Sequence, residues 1–106
     1  MTTIVHVHDG FDEYIGRAVR RAKDQRCHKR SVYANPYIVG KDGTREWCLA
    51  TYEDLWRHRL ASVSGQHWRS LLLALEGKRL GCWCAPKRCH GDVLVKLIEE
   101  IRHVDS

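Results

Sequence analysis

The stretch Gly81-Cys82-Trp83-Cys84-Ala85-Pro86-Lys87-Arg88-Cys89-His90-Gly91-Asp92 holds three of the five cysteines in the chain, with a histidine directly after the third. Thiolates and imidazole bind soft and borderline metals, and they also serve as nucleophile and base. Three chemistries fit. In the first, Cys82, Cys84, Cys89 and His90 hold a metal: three thiolates and an imidazole make a tetrahedral zinc site, and three thiols suit an iron–sulfur cluster. The spacing C-x-C-x4-C-H differs from the paired C-x2-C knuckles of structural zinc sites, and adjacent Cys-His ligands are geometrically awkward. In the second, Cys89 or Cys84 is a thiolate nucleophile, a histidine is its base and Asp92 orients or assists. In the third, the cysteines are small buried hydrophobes and His90 caps a helix. That reading suits Cys82 alone and accounts poorly for all four residues together.

Two elements must position these groups. Arg79 to Cys84 reads as a strand with Leu80, Cys82 and Cys84 on one face and Trp83 on the other. A helix starting near Gly91 carries Val93, Leu94, Leu97, Ile98, Ile101 and Val104 on an apolar stripe. In open α/β sheets, ligands gather at the carboxyl ends of strands beside helix N-termini. Free N–H groups there, Gly91 included, favour anions and lower thiol pKa values. Trp83, opposite the cysteines, either stacks a base or packs on a helix.

The rest of the chain supplies a frame. Ile4 to His8 alternates like a strand, with His6 and His8 on its exposed face, and Asp9-Gly10 is a turn signal. Residues 11 to 24 show helical spacing, yet Glu13-Tyr14-Ile15-Gly16 also reads as a second short strand. Arg17, Arg20, Arg21, Lys23, Arg26, Lys29 and Arg30 face one acid, Asp24. Such a run is commonly a solvated face, and otherwise a phosphate-binding arm. Cys27-His28 within it reads by default as a surface thiol, and otherwise as a further ligand pair. Pro36 keeps Asn35 out of the helical region. Thr44 reads as the N-cap of a helix with Cys48, Tyr52, Leu55 and Trp56 on one stripe. A second helix starts near Ser64, carries Trp68, Leu71, Leu72 and Leu75, and ends with Gly77 at C′. Trp47, Trp56 and Trp68 are assigned to helix packing. The order β-β-α-α-β-α predicts a small α/β fold: about three strands covered by helices, a Rossmann-like layer.

With 106 residues the chain fits one domain spanning 1–106. Eighteen basic against 13 acidic residues give a net charge of +5, which suits a nucleotide or nucleic-acid partner. No apolar run nears the ~20 residues of a membrane span. The N-terminus lacks a signal-peptide pattern, so a cytosolic location with reduced thiols is expected. An odd number of cysteines argues against a closed disulfide framework and for metal or thiol chemistry.

Tyr14-Ile15-Gly16-Arg17, Ala34-Asn35-Pro36, Gly43-Thr44-Arg45-Glu46, Gly77 to Pro86 and Cys89-His90-Gly91-Asp92-Val93-Leu94 together resemble a family of short bacterial and phage proteins, the domain-of-unknown-function family 4326. The resemblance runs from residue 12 to about 98. It implies a strand at residues 13 to 16, hence a hairpin with Ile4 to His8. It also implies that Arg17, as an anion clamp, and Asn35, as a hydrogen-bonding reader, share one site with the cysteine cluster. The resulting expectation is a pocket for an anionic, nucleotide-like ligand, with cysteine- or metal-dependent hydrolysis or group transfer. The alternative is a metal-stabilised nucleic-acid-binding module without catalysis.

Overall fold

The computed structural model describes residues 2–17, 19–20, 27–28, 30–83 and 88–105. Strand β1 (Thr3–His6) runs into one 3-10 turn (Val7–Asp9) and then into β2 (Glu13–Tyr14). β3 (Val19–Arg20) and β4 (Cys27–His28) form a small antiparallel pair. Helices α1 (Arg45–Ala61) and α2 (Gly65–Leu73) follow, then β5 (Arg79–Cys82) and α3 (His90–Asp105). This is the expected α/β order, with β3–β4 added inside the basic segment. Most of that segment, residues 21–26 and 29, lies outside the described residues.

The main sheet has the order β1-β5-β2, and β5 pairs in parallel with both neighbours. Ile4 pairs with Leu80 and His6 with Cys82 on one side, and Glu13 with Leu80 and Tyr14 with Gly81 on the other. The expected hairpin of β1 and β2 is therefore incorrect. Two strands close in sequence are separated in space by a strand from the far end of the chain. The link between them, residues 7–12, crosses one face of β5, and Phe11 sits on Gly81. A Cβ at Gly81 would stand 2.5 Å from Phe11 Cγ, so this crossing needs the bare backbone of glycine.

On the opposite face Leu80 and Cys82 join a buried cluster with Tyr52 and Trp56 of α1, Leu72 of α2, and Leu94 and Leu97 of α3. Burying each large apolar side chain stabilises the fold by about 1.5–3 kcal/mol. Most of the α1 stripe emerges as expected: Cys48, Tyr52 and Trp56 are fully buried, whereas Leu55 is half-buried at its edge. Thr44 caps that helix, its Oγ1 accepting from Trp47 N–H at 3.1 Å. Trp47 departs from the packing assignment. It is 48% exposed, because it lies off the buried stripe on the first turn.

α2 ends at Leu73, earlier than Gly77 at C′ requires. Gly77 instead takes φ +78° in the turn leading to β5, where its N–H donates to Thr2 Oγ1 at 3.0 Å. The long loop before α1 is pinned by two tyrosines. Tyr33 Oη donates to the Leu71 carbonyl at 2.6 Å, and Tyr52 Oη donates to the Tyr33 carbonyl at 2.5 Å. That anchoring fixes where Asn35 and Tyr37 can lie. Among the described residues no helix is long and apolar enough to cross a membrane.

Candidate functional site

β5 ends at Cys82, whose side chain faces the core and is 2% exposed. The chain returns at Cys89, the residue before α3. Here the helix start is built as a capping box with a cysteine in place of serine. Cys89 Sγ accepts from Gly91 N–H at 3.3 Å, and Asp92 Oδ2 accepts from Cys89 N–H at 3.0 Å. The cap is therefore Cys89, and His90 is the first helical residue rather than the cap. Gly91 lets the helix start press on the sheet: a Cβ there would stand 2.6 Å from Ile4 Cδ1 and 2.9 Å from Ile15 Cδ1. Asp92 is exposed and its contact is with the backbone of Cys89. That contact holds the helix start.

His90 is buried against Tyr52, ring centroids 5.3 Å apart. Its Nε2 lies 2.6 Å from the Ile15 carbonyl. A carbonyl can only accept, so Nε2 carries the proton and the lone pair of the neutral ring sits on Nδ1. Burial holds the imidazole below its usual pKa, and the charge of Arg17 acts in the same direction, against the Ile15 hydrogen bond and Asp92. The ring is thus neutral at pH 7, as a metal ligand or general base must be.

Cys82, Cys89 and His90 each place one ligand atom within 4.8 Å of the others, and all three residues are buried. This group can hold a metal ion. Cys84, expected as a further ligand or nucleophile, lies outside the described residues.

The cluster floors a pocket of about 310 Å³ at the carboxyl ends of β2 and β5, where an open parallel sheet is expected to bind. Arg17, Asn35 and Trp83 line it, so every described site residue the sequence singled out except Gly91 and Asp92 meets in one cavity. Arg17 braces the wall as well as lining it: Nε donates to the Asn35 carbonyl at 3.1 Å and Nη2 to the Tyr37 carbonyl at 2.9 Å. The Asn35 side chain is turned inward, its Oδ1 accepting from Tyr37 N–H at 2.9 Å and its Nδ2 directed at the Cys48 carbonyl at 3.4 Å. These bonds fix the shape of the loop that carries it. Tyr14 couples two walls. Its Oη accepts from Trp83 Nε1 at 3.0 Å and donates to the Arg17 carbonyl at 2.5 Å. Burial raises its pKa. Away from the cavity, Trp83 meets His6 and His8 edge-on, at 5.8 and 5.4 Å between centroids.

Sequence reasoning missed Arg45, which lines the pocket from the first turn of α1 and donates from Nη1 to the Arg88 carbonyl at 2.7 Å. It also missed Tyr37 and Leu49. The one available signal was that Arg45 falls inside a motif segment, Gly43-Thr44-Arg45-Glu46.

Comparison with known proteins agrees with the motif. No solved structure matches the chain. An uncharacterized 12.4 kDa protein in the nrdA-td intergenic region of Enterobacteria phage T4 is 34% identical over 79 residues, covering 74% of this chain and 69% of that protein. Residues 6–100, from the end of β1 to well within α3, match the family described as a domain of unknown function, DUF4326, and the chain belongs to that family.

Proposed function

We propose that the pocket binds a small anionic ligand of the nucleotide class and that the protein acts on it by hydrolysis or group transfer, with Cys82, Cys89 and His90 holding zinc at the floor. One observation carries this reading: two guanidiniums and three metal-type ligands line the same cavity. Arg17 and Arg45 supply planar donors that match phosphate oxygens. The start of α3, whose Cys89 and His90 line the cavity, adds the positive end of the helix dipole.

Among the described residues the donor set is two thiolates and an imidazole, which suits zinc better than an iron–sulfur cluster built mainly on thiolates. A Cys2His set that keeps a fourth position for water or substrate is a catalytic pattern for zinc. With Zn–S about 2.3 Å and Zn–N about 2.0 Å, tetrahedral ligand atoms stand roughly 3.5–3.8 Å apart. The observed 4.8 Å limit needs a contraction of about 1 Å on that scale. The Nε2–H bond to the Ile15 carbonyl supports an Nδ1 ligand, since metal-bound histidines donate their other N–H to such a partner. When bound, zinc supplies a Lewis acid and a water ionising near neutral pH.

A second reading rests on the Gly91 N–H donated to Cys89 Sγ, an environment that stabilises a thiolate nucleophile with His90 as its base. A metal-stabilised module that only tracks a nucleic-acid backbone is the third. Titration calorimetry with a nucleoside monophosphate and with the phosphate-free nucleoside tests the ligand class. The monophosphate should bind at least tenfold more tightly, and Arg45→Ala should remove most of that gain without changing metal content. Equal binding of both ligands, or an unaffected Arg45→Ala variant, rules the reading out. Binding only to long polyanions, lost steeply with salt, favours the non-catalytic module.

A further inference from the structure

We infer that the pocket receives the end of a single-stranded nucleic acid, with Trp47 as the stacking surface for the base next to the nucleotide held inside. This rests on the nucleotide-class reading above. Trp47 is 48% exposed on the first turn of α1, yet it is held in place. Its indole meets Tyr37 edge-on at 5.5 Å and 87°, and it lies against Gly43, where a Cβ would stand 2.8 Å from Trp47 Cε3. Tyr37 is itself a pocket wall, so the indole stands one ring beyond the cavity edge. Val39 continues that rim: it is 45% exposed, lines the pocket and bridges to Gly43. An exposed aromatic ring already fixed by its neighbours loses little freedom when a base stacks on it.

Size and charge select the occupant. A cavity of about 310 Å³ is at the small end of ligand pockets, roughly 300–1,000 Å³, a scale that suits about one nucleotide. A second nucleotide must lie over the rim. Arg45 lines the pocket from the first turn of α1, so the cavity itself offers a cation to the phosphate of the nucleotide held inside. A free mononucleotide makes no use of Trp47. A folded protein partner needs about 800 Å² on this side. Among the described residues, the other exposed large apolar side chains are Val32, Val39 and Val63, and Val63 follows the opposite end of α1. The exposed apolar surface described at this rim is thus Trp47 with Val39, the kind of surface that suits a base, whose stacking on an aromatic ring tolerates any sequence.

The test compares a 5′- or 3′-phosphorylated single-stranded hexanucleotide with a nucleoside monophosphate, using wild type, Trp47→Ala, Trp47→Leu and Trp47→Phe, each checked for an unchanged melting curve. Wild type should bind one of the hexanucleotides at least tenfold more tightly than the monophosphate. Trp47→Ala and Trp47→Leu should lose about tenfold for that strand and less than twofold for the monophosphate, and Trp47→Phe should retain most of the gain. A wild type that binds the monophosphate but gains nothing from the longer strand overturns this inference and leaves the nucleotide reading standing. Variants that weaken both ligands equally, or neither, also overturn it. A wild type that binds neither ligand removes both proposals together.

Discussion

His90 donates from Nε2 to the Ile15 carbonyl at 2.6 Å, tying the first turn of α3 to the chain that leaves β2. The two ends of the main sheet's neighbouring strands and the helix start are thereby held as one unit. The same bond sets the tautomer that leaves the ring's lone pair on Nδ1. His90→Ala leaves that buried carbonyl without its partner. Urea denaturation should show a loss of about 2 kcal/mol, within the range for an unsatisfied buried group. An unchanged midpoint would mean that the carbonyl finds another donor.

The Cys89–Asp92 capping arrangement predicts a smaller effect. Asp92→Ala removes the acceptor of the Cys89 N–H and should lower stability by about 1 kcal/mol, as loss of a helix cap does. Because Asp92 does not line the pocket, nucleoside monophosphate affinity should change less than twofold. A tenfold loss of affinity with intact stability would instead make Asp92 part of the binding machinery.

Two glycines are close-packing positions. Gly91→Ala would press a methyl against Ile4 and Ile15, and Gly81→Ala against Phe11. Each should destabilise the protein by about 1–3 kcal/mol through overpacking. Both should also disturb the cysteine cluster, read as a changed rate of thiol alkylation. A Gly10→Ala control meets no atoms but carries φ +82°. It should be strained without altering that rate.

Burial pushes the Tyr33 hydroxyl up from 10.0 to about 12 and raises that of Tyr52 further. In the unfolded chain both ionise near their ordinary value. Above that pH the unfolded state loses protons that the folded state keeps, so unfolding becomes easier. Stability from this source is fully present below pH 10 and falls as pH rises toward about 12. The melting temperature should drop across that window, and Tyr33→Phe should flatten the drop. A melting temperature constant from pH 10 to 12 would show that these hydroxyls ionise freely in the folded state.

The helices were legible because their signals are local. Thr44 as N-cap and the Cys48–Tyr52–Trp56 stripe follow from neighbours a few positions apart. So did the convergence of Cys82, Cys89 and His90, since a strand, a short loop and a helix start leave few ways to arrange them. The sheet order was not legible. Asp9-Gly10 between two short strands reads as a hairpin, and only the distant β5, with Gly81 beneath Phe11, reveals that the link crosses a strand. Arg45 was hidden for a similar reason. It reaches the site because the start of α1 lies beside the start of α3, a relation between residues 45 and 88 that no local pattern encodes. Trp47 reads in sequence as a helix-packing residue like Trp56 and Trp68, yet its position is off the buried stripe.

The central claim is that Cys82, Cys89 and His90 hold a metal at the floor of an anion pocket. Elemental analysis of protein purified without oxygen and without a metal-binding tag addresses it most directly. The account predicts about one zinc per chain, retained in Arg45→Ala and lost in both Cys82→Ser and Cys89→Ser. A wild type that carries no metal even after incubation with zinc, and whose Cys82 and Cys89 react as ordinary free thiols on unfolding, would contradict it. The cluster would then be left as a thiol site.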